Sequence, residues 1–201
     1  MDTKAVVYVI DDDASVRKSL DRLIRSVGFD VKTFATAGDF LSYNPPDQPG
    51  CLVLDVRMPG ITGLELQEEL TAANRSIPII FITGYGNVPE SVRAMKAGAI
   101  DFLEKPFDDK TLIDAIYRAI HHDIQCRQRK SEFLSIRNRW ERLTHRERQV
   151  FELVVTGMLN KQIAFQLGIK EKTIKVHRAR IMQKMEVQSL ADLVRLSEQL
   201  K

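Results

Sequence analysis

Cysteines and long apolar runs are both scarce in this chain. Its two cysteines, Cys51 and Cys126, lie far apart and do not form the paired spacing of a zinc site, and disulfides are rare in a reducing compartment. No apolar run approaches the roughly 18–20 residues that span a bilayer, and residues 1–4 lack the layout of a secretory signal. We therefore expect a cytoplasmic protein with free thiols and no membrane partner.

A large excess of one charge is also missing, since 30 Lys and Arg residues face 27 Asp and Glu residues. The two signs are nevertheless unevenly distributed. Residues 1–122 carry a net charge of −5, with 13 basic against 18 acidic residues, whereas residues 123–201 carry +8, with 17 against 9. An acidic region can gather a cation, and a basic region suits a polyanion. An ordinary solvated surface is equally compatible with these charges. Charge alone therefore does not show whether the chain binds a cation or a polyanion, and the sequence motifs are needed.

Strand and helix signals alternate along the first 120 residues. Short β-branched and apolar runs predict strands at Val6–Ile10, Val31–Phe34, Cys51–Leu54, Pro78–Ile82 and Phe102–Leu103. Apolar residues at helical spacing predict helices at Ala14–Val27, Gly38–Tyr43, Leu64–Ala73, Val88–Ala97 and Lys110–Ile120. Strand–helix pairs with short connections predict an α/β fold with a doubly wound, five-stranded parallel sheet. We place this first domain at residues 1–121.

Helical signals dominate the rest of the chain. Residues 109–142 contain neither glycine nor proline, which predicts that the fifth helix runs on into a solvated helical linker at residues 122–139; a flexible polar loop is the alternative. Residues 140–201 predict a second, all-α domain of four helices, in which Trp140 is a packing anchor. The first helix follows the capping-box pair Thr144 and Glu147, and the others are at Lys161–Leu167, Glu171–Met185 and Ser189–Leu200.

Side chains suited to phosphoryl chemistry follow the predicted strands. In chain order they are Asp11, Asp12 and Asp13 after the first strand, Asp55 after the third, Thr83 at the end of the fourth and Lys105 after the fifth. The carboxyl ends of parallel strands meet at one edge of a sheet, so these side chains should converge. Crowded carboxylates need a neutralising cation, and oxygen ligands favour Mg²⁺. One carboxylate would remain as the nucleophile for a phosphoryl group, whose oxygens Thr83 and the Gly84 N–H could bind.

These motifs resemble the receiver domain of two-component response regulators over residues 4–121. The matching residues are Asp11-Asp12, the run from Leu54 to Gly60, Thr83-Gly84 and Lys105-Pro106-Phe107. The resemblance implies a flavodoxin-like fold, phosphorylation of Asp55 by a histidine kinase, and pairing of Lys105 with the phosphoryl oxygens. It also implies a Mg²⁺ ion bound directly by Asp12, Asp55 and the Arg57 carbonyl and through water by Asp11. The Lys105–Pro106 bond would be cis, and Asp13, outside the motif, is a helix-cap candidate.

The same resemblance suggests a conformational switch. Thr83 would move toward the phosphoryl group and Phe102 would swing inward, although an ordinary core aromatic is compatible with the same position. In the FixJ-like branch, the face formed by the fourth helix and the fifth strand then pairs with a second copy of the chain. That face would include Val88, Val92, Met95 and Asp101.

Two large side chains follow site residues by two positions each. Arg57 comes two residues after Asp55, and Tyr85 comes two residues after Thr83. We expect both side chains to lie over the phosphoryl group and to hinder the water that would hydrolyse it.

Residues 140–201 resemble the helix-turn-helix domain of the LuxR, NarL and FixJ type. The matching residues are Leu143-Thr144, Asn160 to Ala164, Leu167 to Ile169 and Lys172 to His177. The third predicted helix would then enter the major groove of DNA, where Lys175 could read guanine, Val176 a thymine methyl, and Ala179 would allow close approach. The phosphate contacts would come from Lys161, Lys172, Thr173 and Arg178. The fourth helix would form the dimer contact on DNA.

These expectations describe a FixJ-type response regulator and not an enzyme. Phosphorylation would promote dimerisation and sequence-specific binding to double-stranded DNA, and a histidine kinase and RNA polymerase would be its partners, with activation the expected outcome. Two other classes stay open. A phosphatase with an aspartate nucleophile would share the Mg²⁺ but would also need a second positioned carboxylate. A receiver-controlled module could bind protein or RNA in place of DNA.

Overall fold

The structure is a computed structural model that describes residues 5–200. It divides into two compact units, with the division between Arg127 and Gln128. The outer bounds of the predicted domains, at residues 1 and 201, lie outside the described residues. The separation into a domain ending at residue 121, a linker over 122–139 and a domain starting at residue 140 stays a prediction.

The first unit contains an alternating series of strands and helices. The strands are β1 (Val6–Ile10), β2 (Asp30–Phe34), β3 (Gly50–Asp55), β4 (Ile79–Thr83) and β5 (Asp101–Glu104). The helices are α1 (Ala14–Ser26), α2 (Ala37–Ser42), α3 (Gly63–Ala72), α4 (Val88–Lys96) and α5 (Asp109–Glu141). Each predicted element is present, and apart from the end of α5 the bounds differ by no more than one residue.

The five strands form one sheet in which all neighbours are parallel, in the order β2-β1-β3-β4-β5. Side chains alternate between its two faces, so Val9 and Val53 pack with α1 and α5, whereas Tyr8 and Leu52 pack with α2 and α3. Each fully buried Leu or Ile side chain stabilises this unit by about 1.5–3 kcal/mol. The predicted α/β class is confirmed, and the ends of β1, β3, β4 and β5 are available to build a site.

Helix α5 continues far beyond the predicted segment Lys110–Ile120. It contains 33 residues, so residues 122–139 are helical and do not form the alternative loop. Ile116 belongs to the core of the first unit and Ile136 to the core of the second. Within residues 5–200, neither α5 nor any other helix is long and apolar enough to cross a membrane.

The second unit contains the end of α5 and four further helices. These are α6 (His145–Val155), α7 (Asn160–Leu167), α8 (Glu171–Met185) and α9 (Leu190–Gln199), which confirms the predicted helical domain. Val150, Ile163 and Ile174 are fully buried in its core, and Trp140 packs against that core as expected.

Two sequence signals fix the ends of helices in this unit. Thr144 and Glu147 form the predicted capping box at the start of α6, in which each side chain accepts a hydrogen bond from the other residue's backbone N–H. Gly168 ends α7 with a φ of 64°, a left-handed conformation that a side chain would disfavour. The turn between α7 and α8 therefore depends on glycine.

Candidate functional site

Residues from four strand ends meet at one edge of the sheet. Asp11 follows β1, Asp55 ends β3, Thr83 ends β4, and Lys105 follows β5. The Lys105 Nζ donates hydrogen bonds to Asp11 Oδ2 at 2.7 Å and to Asp55 Oδ1 at 2.8 Å. Asp11 and Asp55 are 1% and 6% exposed, so one ammonium group joins two buried carboxylates. The Lys105–Pro106 peptide bond is cis, as the resemblance implies.

The carboxylate of Asp55, the predicted acceptor, is held by hydrogen bonds at both of its oxygens. Burial raises the pKa of Asp55 above its usual value, and the hydrogen bond from Lys105 opposes that effect. Burial alone would lower the pKa of Lys105, but its hydrogen bonds to Asp11 and Asp55 raise that pKa overall. Lys105 is therefore charged at neutral pH. The other oxygen of Asp55, Oδ2, accepts a hydrogen bond from the Arg57 backbone N–H at 2.8 Å.

The acidic residues after β1 do not behave alike. Asp11 is buried, Asp12 is exposed, and Asp13 caps α1 by accepting a hydrogen bond from the Ser15 N–H at 2.7 Å, which confirms its role as a cap. Among residues 5–200, no three acidic, histidine or cysteine side chains come together closely enough to form a metal cluster. The structure brings Asp11 and Asp55 together with the Lys105 ammonium between them, and the predicted Mg²⁺ ligands stay a prediction.

The donor set at this edge still suits a hard cation. The carboxylates of Asp11 and Asp55 lie within hydrogen-bond reach of one ammonium group, and the exposed Asp12 side chain is next in sequence to Asp11. These groups offer oxygen ligands, without sulfur or imidazole, and that is the set that Mg²⁺ prefers.

The predicted switch residues lie around the end of β4. Thr83 is 1% exposed, and its Oγ1 accepts a hydrogen bond from the Tyr85 N–H at 3.2 Å. Phe102 is partly buried, with its ring centroid 6.1 Å from that of Phe81. Gly84 is exposed, and a Cβ there would meet no atom within 4 Å. Packing therefore does not explain this glycine, and close approach of a phosphoryl oxygen stays a prediction.

Arg57 and Tyr85, the two expected shielding residues, lie beside each other. The Arg57 Cζ is 5.6 Å from the centroid of the Tyr85 ring, and both side chains are exposed. Their backbone N–H groups bond to Asp55 and Thr83 respectively. The backbones that carry both side chains are thus hydrogen-bonded to the predicted site residues, and the shielding role stays a prediction.

Sequence reasoning missed a glycine that lies against the backbone of Asp55. A Cβ on Gly63 would lie only 2.3 Å from the Asp55 carbonyl oxygen, and the Gly63 N–H donates to the Val56 carbonyl at 3.0 Å. The first residue of α3 therefore packs directly on the backbone of Asp55. The capping-box pair Thr62 and Glu65, visible in the sequence, could have moved the predicted helix start from Leu64 to Gly63.

The predicted dimer face carries exposed apolar residues on α4. Val88, Val92 and Met95 are all exposed, as a contact surface requires. Asp101 differs from them, because its Oδ2 accepts a hydrogen bond from Arg118 on α5.

Helix α8 presents most of the predicted DNA-binding residues to solvent. Those that are exposed on α8 are Lys172, Thr173, Lys175, Val176 and Ala179, and Lys161 is exposed on α7. Arg178 differs, because it is partly buried and its Nη1 donates to Asn160 Oδ1 at 3.0 Å. Ile174 and Ile181 are buried on the opposite side of α8. The exposed side is therefore rich in cations and small or apolar groups.

Two family models cover most of the chain. The "Response regulator receiver domain" matches residues 7–117, and "Bacterial regulatory proteins, luxR family" matches residues 141–197. The chain therefore belongs to the two-component response regulators. Within them it combines a receiver domain with a LuxR-type helix-turn-helix domain, as FixJ-type transcriptional regulators do. Regulators of this kind are not enzymes.

Full-length relatives and structures agree with this assignment. Nodulation protein W of Bradyrhizobium diazoefficiens is 50% identical over 198 residues, which cover 98% of this chain and 87% of that protein. Transcriptional regulatory protein FixJ of Rhizobium meliloti is 45% identical, with 97% and 96% covered. The structure of response regulator StyR is 53% identical with a TM-score of 0.89, covering 97% and 98%. Full-length FixJ of B. japonicum is 45% identical with a TM-score of 0.61, covering 98% of each chain.

The two domains imply two kinds of partner. A receiver domain implies a histidine kinase, and receiver domains in general bind Mg²⁺ at their phosphorylation site. A LuxR-type domain implies DNA binding. The chain is accordingly a transcriptional regulator.

Proposed function

We propose that a histidine kinase phosphorylates Asp55 and that this modification promotes dimerisation and sequence-specific binding to double-stranded DNA, so that transcription is activated. The observation that carries the proposal is the position of Lys105 Nζ, 2.8 Å from Asp55 Oδ1 and 2.7 Å from Asp11 Oδ2. A cation held against the acceptor can stabilise the charge that develops on a transferring phosphoryl group. Because the partners are a kinase and chromosomal DNA, the proposal places the protein in the cytoplasm.

At the acceptor, one carboxylate oxygen of Asp55 attacks the phosphorus, and the bond from phosphorus to the histidine nitrogen of the kinase breaks. Lys105 pairs with the incoming phosphoryl oxygens, and the Thr83 hydroxyl and the Gly84 N–H donate to them. Asp12, Asp55 and the Arg57 carbonyl would hold Mg²⁺ directly, and Asp11 through water. When bound, the ion supplies positive charge that neutralises the phosphoryl oxygens.

The switch then connects the acceptor to the dimer face. Movement of Thr83 toward the phosphoryl group leaves space at the end of β4, which Phe102 fills from β5. The exposed apolar residues of α4, Val88, Val92 and Met95, then pair with a second copy. Phosphorylation in this account biases a two-state receiver.

Dimerisation brings two basic units to DNA. Residues 123–201 carry a net charge of +8, which suits a duplex. The base contacts come from Lys175, Val176 and Ala179, and the phosphate contacts from Lys161, Lys172, Thr173 and Arg178. Joining two such units raises their effective concentration at twin half-sites, and α9 forms the contact between them. RNA polymerase is the partner through which the bound dimer acts.

Arg57 and Tyr85 are proposed to slow the loss of the phosphoryl group by hindering water. Their exposed side chains lie beside each other, and their backbones bond to the site residues. Trimming both to Ala should therefore shorten the lifetime of the phosphorylated chain. An unchanged lifetime would refute the shielding role.

The test of the proposed function is selection of bound duplexes from a random DNA pool by the full-length chain, with and without acetyl phosphate. We expect enrichment of a sequence with two related half-sites, and a stronger enrichment when the phosphodonor is present. The matched control is Asp55→Asn, which should show no response to the donor. The proposal fails if no sequence is enriched, or if the Asn variant responds to the donor as the wild type does.

A further inference from the structure

Glu90 on α4 forms an ion pair with Arg57, which lies two residues after the proposed acceptor Asp55. Its Oε1 is 3.8 Å from Arg57 Nη2, and Arg57 is bonded through its backbone N–H to Asp55 Oδ2. The Arg57 side chain therefore links the phosphorylation site to the first turn of α4. None of the roles assigned above uses Glu90.

The carboxylate of Glu90 is poorly satisfied in this position. Its second oxygen, Oε2, is buried and has no hydrogen-bond partner among residues 5–200. Buried carboxylate oxygens usually accept hydrogen bonds, so the long contact between Oε1 and Arg57 is not reinforced by a hydrogen bond to the second oxygen. If Arg57 left, the carboxylate would lose the cation that the structure gives it.

The Arg57–Glu90 ion pair is weak enough to be exchanged. The Arg57 side chain is 55% exposed and that of Glu90 is 28% exposed, and an exposed pair at this separation contributes little. Arg93 on the same helix has a closer partner, since its Nη2 is 2.6 Å from Oε1 of Glu68 on α3. A phosphoryl group on Asp55 brings about two negative charges next to the Arg57 backbone, and so it competes with Glu90 for the guanidinium.

We infer that Glu90 is a positioning residue that holds the Arg57 side chain at α4 while Asp55 is unmodified and releases it to the phosphoryl group afterwards. This inference rests on the proposed phosphorylation of Asp55. Helix α4, which has the exposed apolar face, would then respond to phosphorylation in two ways. One is the transfer of the Arg57 guanidinium from Glu90 to the phosphoryl group, and the other is the movement of Thr83 and Phe102.

The test is the lifetime of the phosphoryl group on the full-length chain after labelling with acetyl phosphate. Glu90→Gln keeps the shape of the side chain and removes its charge, so Arg57 should pair with the phosphoryl group more often. We expect the lifetime to lengthen by about threefold, the size of effect that an exposed ion pair can produce. The matched control is Glu68→Gln, which removes a carboxylate from the pair with Arg93 and should leave the lifetime unchanged.

A double-mutant cycle separates this role from a general effect on α4. In an Arg57→Ala background, Glu90→Gln should no longer change the lifetime, because the side chain that it positions is gone. The inference is wrong if Glu90→Gln has no effect in the wild-type background, or the same effect in both. A wild-type chain that takes no label on Asp55 would instead overturn the proposed function itself.

Discussion

The two units place their candidate functional residues in opposite environments. In the receiver, Asp11, Asp55 and Thr83 are almost fully buried at the ends of neighbouring strands, and hydrogen bonds fix their positions. In the helical unit, the candidate residues Lys172, Lys175 and others are exposed on one side of α8. Transfer of a phosphoryl group needs charges held at fixed distances, whereas recognition of a duplex needs a surface that its groove can reach. The substitutions below therefore should act on chemistry in one unit and on affinity in the other.

The largest effect is expected at Lys105. Lys105→Ala removes the ammonium that joins Asp11 and Asp55, and the loss of one such stabilising group lowers a rate on the order of 100-fold. The rate of Asp55 phosphorylation by acetyl phosphate should fall accordingly, as measured by incorporation of labelled phosphoryl group.

Lys110→Ala, at an exposed position of α5, is the matched control and should react at the wild-type rate. If Lys105→Ala also reacted at that rate, the buried cluster would not be the reacting site.

The next effect concerns a buried contact remote in sequence from the site. Asp123 Oδ2 accepts hydrogen bonds from the Gly50 N–H at 2.9 Å and from Arg127 Nε at 2.7 Å, and its side chain is 5% exposed. Asp123→Ala leaves the Gly50 N–H without this acceptor, which should lower the free energy of unfolding by about 2 kcal/mol. Urea denaturation followed by circular dichroism measures the change.

Asp47 offers the control for this contact, because it also pairs with Arg127 but is 98% exposed. Asp47→Ala should change the free energy of unfolding by less than about 0.5 kcal/mol. Equal losses in the two variants would show that burial does not set the strength of this network.

Two lysines on α8, Lys172 and Lys175, should affect DNA binding in different ways. Lys175→Ala should weaken binding to the selected duplex by about tenfold and relax its preference at one base pair. Lys172→Ala, if it removes a phosphate contact, should weaken binding to all duplexes alike. The number of counterions released on binding, read from the slope of log affinity against log salt concentration, should fall by about one. Fluorescence anisotropy with selected and scrambled duplexes at several salt concentrations distinguishes them, and identical profiles would contradict the assigned roles.

The smallest effect comes from the buried ion pair of the helical unit. Glu147 is 2% exposed, and its Oε2 accepts a hydrogen bond from Lys184 Nζ at 2.6 Å. Burial alone would raise the pKa of Glu147, but the hydrogen bonds from Lys184 and Thr144 outweigh it and lower that pKa. A lowered pKa in the folded state means that this contribution is present at neutral pH and is lost as the pH falls.

We therefore expect Glu147→Gln to lower the free energy of unfolding by about 1 kcal/mol at neutral pH. This gap, the difference between the wild type and the variant, should shrink as the pH falls below 4.5, the ordinary pKa of Glu. Denaturation over a pH series measures it. The exposed Glu152 is the control, since Glu152→Gln should show no such gap, and a gap for Glu147→Gln that stays constant with pH would rule out the ion pair as its source.

Periodicity and motif spacing predicted the elements well but not the directions of individual side chains. The end of β3 at Asp55 and the edge where Lys105 meets it follow from a buried apolar run that stops at a charged residue. The contrast between buried Asp11 and exposed Asp12 does not follow, because neighbouring residues after a strand can turn either way. The Arg178–Asn160 hydrogen bond depends on how α7 and α8 pack together. The spacing of residues within one helix gives no information about that packing.

Contacts between residues that are distant in the chain could not be predicted from the sequence either. The hydrogen bond between Asp123 and Gly50 joins residues 73 positions apart, and Asp123 lies in the stretch predicted as a solvated linker. Its burial shows that this part of α5 packs with the first unit, which polar composition alone could not reveal.

Asp55 is the proposed acceptor of the phosphoryl group, and it can be identified by peptide mapping with mass spectrometry after treatment with acetyl phosphate and Mg²⁺. We expect one phosphoryl group for each chain, on the peptide that contains Asp55, and none on that peptide in the Asp55→Asn variant. A phosphoryl group found on a different residue of the wild-type chain, with the Asp55 peptide unmodified, would contradict it.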